Sequence, residues 1–116
     1  METYSGGCHC GKVQFDVTID LARVLACNCS ICRKRGSLLS FTTPERFSLK
    51  SGAESLTEYR FNTRNIRHLF CDACGIESFA HGTMPDGTEM VAINVRCLDG
   101  VDLDALEVTP FDGKNL

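Results

Sequence analysis

The sequence predicts a mainly β domain of antiparallel, folded sheets, and three observations carry that prediction. Apolar and polar residues alternate strictly over 13–19, and Val91, Ile93 and Val95 share a face over 91–95. Helical periods are nearly absent. Short apolar runs are separated by polar turns that contain Gly, Pro and Asp. A period of two gives a strand one dry and one wet face, which suits sheets that fold onto each other around a core.

The elements follow in chain order. Behind "GGCHC" at 6–10, Val13, Phe15, Val17 and Ile19 face one way while Lys12, Gln14, Asp16, Thr18 and Asp20 face the other, which defines the first strong strand. "LLSF" at 38–41 and "FSLK" at 47–50 read as short strands between polar turns. In "LTEYRF" at 56–61, Thr57, Tyr59 and Phe61 share a face, and His68 alternates with Leu69 in a further strand. "MPDGT" at 84–88 is a Pro-Asp-Gly turn that leads into "MVAINV", where Val91, Ile93 and Val95 share a face. "LDG" at 98–100 leads out of that strand. "VDLDAL" at 101–106 holds a short helix or a single turn.

No linker, low-complexity tract or solenoid repeat divides the chain, so its 116 residues read as one domain over 1–116. Such a chain buries roughly two-thirds of its unfolded surface, enough for a modest core that benefits from extra staples. With a net charge of −3 and no run of like charge longer than Arg33-Lys34-Arg35, it carries no basic stripe for nucleic acid. No apolar run reaches membrane-spanning length. "METYSGG" contains neither a basic n-region nor an apolar h-region, so the expected location is cytoplasmic. In that reducing setting, clustered cysteines point to metal or redox chemistry rather than disulfides.

The 8 cysteines fall into groups: Cys8-x-Cys10, Cys27-x-Cys29-x2-Cys32, Cys71-x2-Cys74-Gly75, and Cys97 alone. Ligands one or two residues apart can turn both sulfurs toward one ion, and Gly75 offers the left-handed backbone that such a knuckle needs. Seven clustered thiolates divide naturally as four plus three. A tetrahedral site closed by four cysteines is structural, whereas three protein ligands leave a position for water or substrate. Cys8 and Cys10 with Cys71 and Cys74 would staple the beginning of the chain to its middle, leaving Cys27, Cys29 and Cys32 as an open triplet. Two other partitions stand beside this one. Cys29/Cys32 with Cys71/Cys74 would form a ribbon, or Cys97 could close the triplet.

The motifs "GGCHCGKVQFDV", "CNCSICRKRGS", "FCDACG" and "INVRCLDGVD", in this order and spacing, resemble the glutathione-dependent formaldehyde-activating enzyme family, which includes centromere protein V-type proteins. The resemblance implies an Mss4-like β fold with two zinc ions. It implies structural zinc on Cys8, Cys10, Cys71 and Cys74, and catalytic zinc on Cys27, Cys29 and Cys32. Asn28 stands where the middle residue of the triplet is often His in the family. The activity implied is that of a carbon–sulfur lyase joining formaldehyde to glutathione, so a small thiol is the expected partner. The alternative is a non-catalytic zinc module that binds a protein. Thiol redox chemistry is the weaker reading, because no C-x2-C here sits in a βαβ setting.

The remaining conspicuous residues have plainer readings beside these. Arg33, Lys34 and Arg35 can receive substrate carboxylates, offset thiolate charge, or simply be solvated. His9 is expected to be exposed and His68 structural. His81, read as part of a loop in "FAHGTMPDG", is a candidate to approach the triplet. Glu77 and Asp72 lie near the second knuckle, with nothing in their spacing to make either a proton carrier.

Overall fold

The computed structural model describes residues 1–60 and 66–113. Ten strands make up nearly half of these residues: β1 (Glu2–Gly7), β2 (Gln14–Ile19), β3 (Val24–Cys27), β4 (Leu39–Thr42), β5 (Phe47–Ser51), β6 (Leu56–Tyr59), β7 (Ile66–Cys71), β8 (Phe79–Thr83), β9 (Glu89–Asn94) and β10 (Val108–Phe111). One short helix, α1 (Ser30–Arg35), interrupts them. The strands form a three-stranded sheet in the order β1-β2-β5 and a seven-stranded sheet in the order β10-β3-β4-β9-β8-β7-β6.

The mainly β prediction holds, with one amendment. Described neighbours pair antiparallel except β10, which runs parallel to β3 in the register Val108↔Val24 to Phe111↔Cys27. The sequence hid this strand because all four of its residues are exposed and Pro110 interrupts its donors. Proline is tolerated at a sheet edge, which is where β10 lies.

The alternation read from the sequence is what joins the two sheets. Val13, Phe15, Val17 and Ile19 are each at most 2% exposed, and they share one core with Val91 and Ile93 from the larger sheet and Val95 just beyond it. Three aromatic rings bridge the layers, with centroids 5.3 Å apart for Phe15–Phe47 and 4.7 Å for Phe47–Phe79. The turn at 84–88 closes as expected: the Met84 N–H donates to the Thr88 carbonyl at 2.8 Å, joining β8 to β9. The turn in 101–106 is a single 3-10 turn, Leu103–Ala105. Thr57 and Tyr59 lie in β6, both exposed; Phe61 lies outside the described residues.

His81 requires a correction. It lies in β8 rather than in a loop, opposite Val91 and Arg67, and its ring stands edge-on to Phe79 at 5.6 Å and Phe47 at 6.1 Å. Gly82 and Thr83, which follow it in that stretch, are the end of the strand. Among the described residues no helix is long and apolar enough to cross a membrane.

Candidate metal centres

Two tight turns build the first centre. The loop between β1 and β2 folds back so that the Cys8 N–H donates to the Val13 carbonyl at 3.0 Å and the Val13 N–H donates to Cys8 Sγ at 3.3 Å. Beyond β7 the chain makes a second knuckle, in which the Gly75 N–H reaches the Cys71 carbonyl at 2.8 Å. Gly75 has φ +80°, the left-handed conformation that glycine adopts without a Cβ penalty.

These turns bring Cys8, Cys10, Cys71 and Cys74 together, with all four sulfurs within 4.8 Å of one another. The Cys8–Cys10 and Cys10–Cys71 sulfur pairs are each 3.6 Å apart. Thiolates around tetrahedral zinc at about 2.3 Å lie roughly 3.8 Å from each other, so the group fits such an ion. Ionising one of these thiols opposes ionising its neighbours. Cys74 is pulled down to about 6, first by the Cys10 N–H and then by the Ile76 N–H. For Cys10 the Lys12 N–H acts downward, but lost solvation and the sulfurs of Cys71, Cys8 and Cys74 outweigh it and push the thiol up to about 11. A divalent ion relieves this repulsion between neighbouring thiolates.

The second group is local. Cys27 ends β3, Cys29 is the N-cap of α1, and Cys32 lies in the helix, whose first turn is closed by the Arg33 N–H on the Cys29 carbonyl at 2.9 Å. Residues three apart on a helical turn share a face, which aligns Cys29 with Cys32. The three sulfurs lie within 4.8 Å of one another, and no fourth His, Cys, Asp or Glu of the described residues joins them. Burial, then the charge of Cys29 and of Cys27, pushes Cys32 up. Burial also acts to raise Cys29, yet the N–H groups of Cys32 and Ile31 and the neighbouring thiols hold it below the usual thiol value. Helix α1 escaped the sequence reading because its six residues are too few to show a period.

Neither alternative partition of the cysteines is formed. Cys29 and Cys32 are grouped with Cys27 rather than with the second knuckle, and Cys97 belongs to neither group. Cys97 ends the 3-10 turn Val95–Cys97, where burial raises its pKa.

Beside the triplet, three residues that sequence reasoning treated separately form a chain. Arg35, at the end of α1, pairs with the Glu77 carboxylate, and the same Glu77 Oε1 lies 3.1 Å from His68 Nδ1. His68 is 5% exposed, and burial followed by the charge of Arg35 pushes its pKa down to about 4. Its buried place in β7 is structural, as expected. The Glu77 backbone carbonyl accepts from Asn94 Nδ2 at 3.2 Å, which ties the main chain at Glu77 to β9. A cleft of about 380 Å³ opens on the outer side of α1, lined by Ser30, Ile31, Lys34, Arg35 and Tyr59. His9 and Asp72 are exposed, and the Asp72 N–H donates to the Ser55 carbonyl.

The C-terminal segment also reaches the triplet, and sequence reasoning missed it. The Asn28 N–H donates to the Phe111 carbonyl at 3.1 Å, and Asn28 Nδ2 donates to Asp112 Oδ1 at 2.9 Å. Asn28 sits between two of the cysteines, so this contact fixes the loop that carries them. The available signal was "FDG" directly after a strand, a pattern common to ordinary turns.

Fold and sites together define a small β protein with one four-cysteine and one three-cysteine centre able to hold metal. Residues 3–110 match the family model described as "Glutathione-dependent formaldehyde-activating enzyme", and the chain belongs to that family. It is also similar to a crystal structure of a protein from Rhodobacter sphaeroides, at 35% identity and a TM-score of 0.82, over 92% of this chain and 99% of that one.

Proposed function

We propose that this chain is a zinc-dependent carbon–sulfur lyase acting on a small thiol adduct, with glutathione and formaldehyde, giving S-hydroxymethylglutathione, as the leading pair. The observation that carries the reading is the inequality of the two centres: four sulfurs in one and three in the other. In this reading Cys8, Cys10, Cys71 and Cys74 hold a structural zinc, while Cys27, Cys29 and Cys32 hold a zinc with a vacant position. Zinc bound at the triplet would supply Lewis acidity, favouring the ionised form of a thiol at neutral pH.

The chain's own residues supply placement. In the forward direction a C–S bond forms between the thiol sulfur and the aldehyde carbon, and the thiol's proton ends on the aldehyde oxygen. Lys34 and Arg35 present two cations to the cleft on the outer side of α1, suited to the carboxylates of a glutathione-like thiol. Arg35 is held in place by Glu77, so its geometry is set before substrate arrives. Tyr59 and Ser30 add hydroxyl groups to the same cleft.

The uncatalysed condensation is already quick, so total product is uninformative. Exchange between free thiol and its hydroxymethyl adduct, followed by NMR near equilibrium, should be accelerated by wild type over a no-protein control. Cys29→Ala should retain one zinc and lose the acceleration. If wild type does not exceed the control with glutathione or several other small thiols, the lyase reading is wrong and a non-catalytic zinc module becomes the better description.

A further inference from the structure

We infer that the C-terminal residues 111–113 are part of the three-cysteine centre, with Asp112 and Gly113 acting as positioning residues that fix the Cys27 and Cys29 sulfurs for the ion. The inference rests on the reading that the triplet holds zinc, and it assigns that site a wall which the cysteine pattern does not contain.

The docking of this segment is not explained by apolar burial. All four β10 residues are exposed, with Val108 at 37% and Phe111 at 40%. A short edge strand containing a proline gains little from ladder bonds alone. What it does gain lies at its end, over the triplet. Phe111 is in register with Cys27, so the parallel pairing delivers the next two residues directly onto the loop 27–29. There Asn28 is held twice, by its backbone N–H on Phe111 and by its side chain on Asp112. A residue bonded through both backbone and side chain cannot rotate freely, and the sulfurs on either side of it inherit that restraint.

Gly113 completes the contact. A Cβ built on it would lie 2.5 Å from Cys27 Sγ and 3.5 Å from Cys29 Cβ. Its φ is not among the positive values found at other glycines, so the backbone does not require glycine here. Space does. An added Cβ would fall inside the contact distance of the sulfur, so any side chain would displace a ligand or lift the segment. Outer contacts of this kind orient ligands, and their loss typically weakens metal binding by about 10–100-fold.

The test is zinc affinity of the reduced full-length chain, measured against a chromophoric chelator, with cobalt substitution as a spectroscopic readout. Gly113→Ala and Asp112→Ala should each weaken one of two zinc classes by about 10–100-fold and leave the other at the wild-type value. The visible bands of cobalt in the weakened class should shift. Asp112→Asn keeps an oxygen to accept from Asn28 and should stay within about threefold of wild type, a rescue that a general loss of stability would not produce. Equal weakening of both classes, or wild-type affinity in both Ala variants, would overturn the inference. Cys29→Ala separates the two levels of the argument. If it loses one class while the Ala variants at 112 and 113 do not, the positioning role fails alone. If it too keeps both classes, the triplet is not a zinc site and the inference falls with that reading. Should Gly113→Ala not fold, the Asp112→Ala and Asp112→Asn pair decides.

Discussion

Replacing Glu77 with Ala should destabilise the fold far more than removal of an ordinary surface acid. Glu77 Oε1 lies 3.1 Å from His68 Nδ1, and His68 is 5% exposed, so truncation leaves that ring nitrogen without this acceptor. Removing a hydrogen-bond partner from a buried polar group costs about 1–3 kcal/mol. The Arg35 side chain is 27% exposed and retains water, so loss of its ion pair adds only about 1 kcal/mol. The sum, about 3 kcal/mol, is a large fraction of the roughly 5–15 kcal/mol by which a domain is stable. With an unfolding entropy of about 2.1 cal/mol/K per residue, it corresponds to a fall in Tm of roughly 12 °C. Urea unfolding at pH 7.5, with free zinc held constant by a metal buffer, measures it without a changing contribution from bound ion. Glu77→Gln keeps an oxygen opposite His68 and should lose only about 1 kcal/mol. The reasoning is refuted if Glu77→Ala lies within about 0.5 kcal/mol of wild type, or if Gln is as damaging as Ala.

His68 has a folded pKa of about 4 against the ordinary 6.5, so the unfolded chain takes up the proton first as pH falls. Its contribution is complete above pH 6.5 and lost as pH falls toward 4, amounting to at most about 3 kcal/mol; a pH-independent difference between wild type and His68→Gln in urea would contradict this. Gly75→Ala meets no atom within 4 Å, so its cost is backbone strain alone at φ +80°, about 1–2 kcal/mol, and Gly75→Asn should cost less. Cys97→Ser should leave zinc stoichiometry unchanged, because Cys97 belongs to neither sulfur group; loss of one equivalent by elemental analysis would reverse that. A chelator titration should release two zinc ions in separate steps, the first leaving a folded chain by circular dichroism and the second unfolding it; one uniform step would sink the four-plus-three division.

What the sequence showed clearly was whatever repeats on a short period or clusters within a few residues. Val13 to Ile19 and Val91 to Val95 announce their buried face because one side of each strand meets a second sheet. The cysteine groups were legible because a knuckle places its donors one or two residues apart. Strand β10 was not legible, since an edge exposed at every position has no alternation to display. His81 was misplaced because the Gly and Thr after it end a strand as readily as they form a loop. The Arg35–Glu77–His68 chain and the contact of Asp112 with Asn28 join residues 9 to 84 positions apart, and only the sheet order brings them together.

The four-cysteine centre has a topological meaning as well as a geometric one. Cys10 and Cys71 are 61 residues apart, so an ion held between them closes a loop of more than half the chain. A covalent bridge closing such a loop lowers the entropy of the unfolded ensemble by an amount worth about 4 kcal/mol. A metal bridge does the same while remaining reversible. On the proposed reading that an ion is held there, lowering the free-ion concentration would turn a tethered chain into a slack one, and the lifetime of this protein against proteases would become a readout of local metal supply.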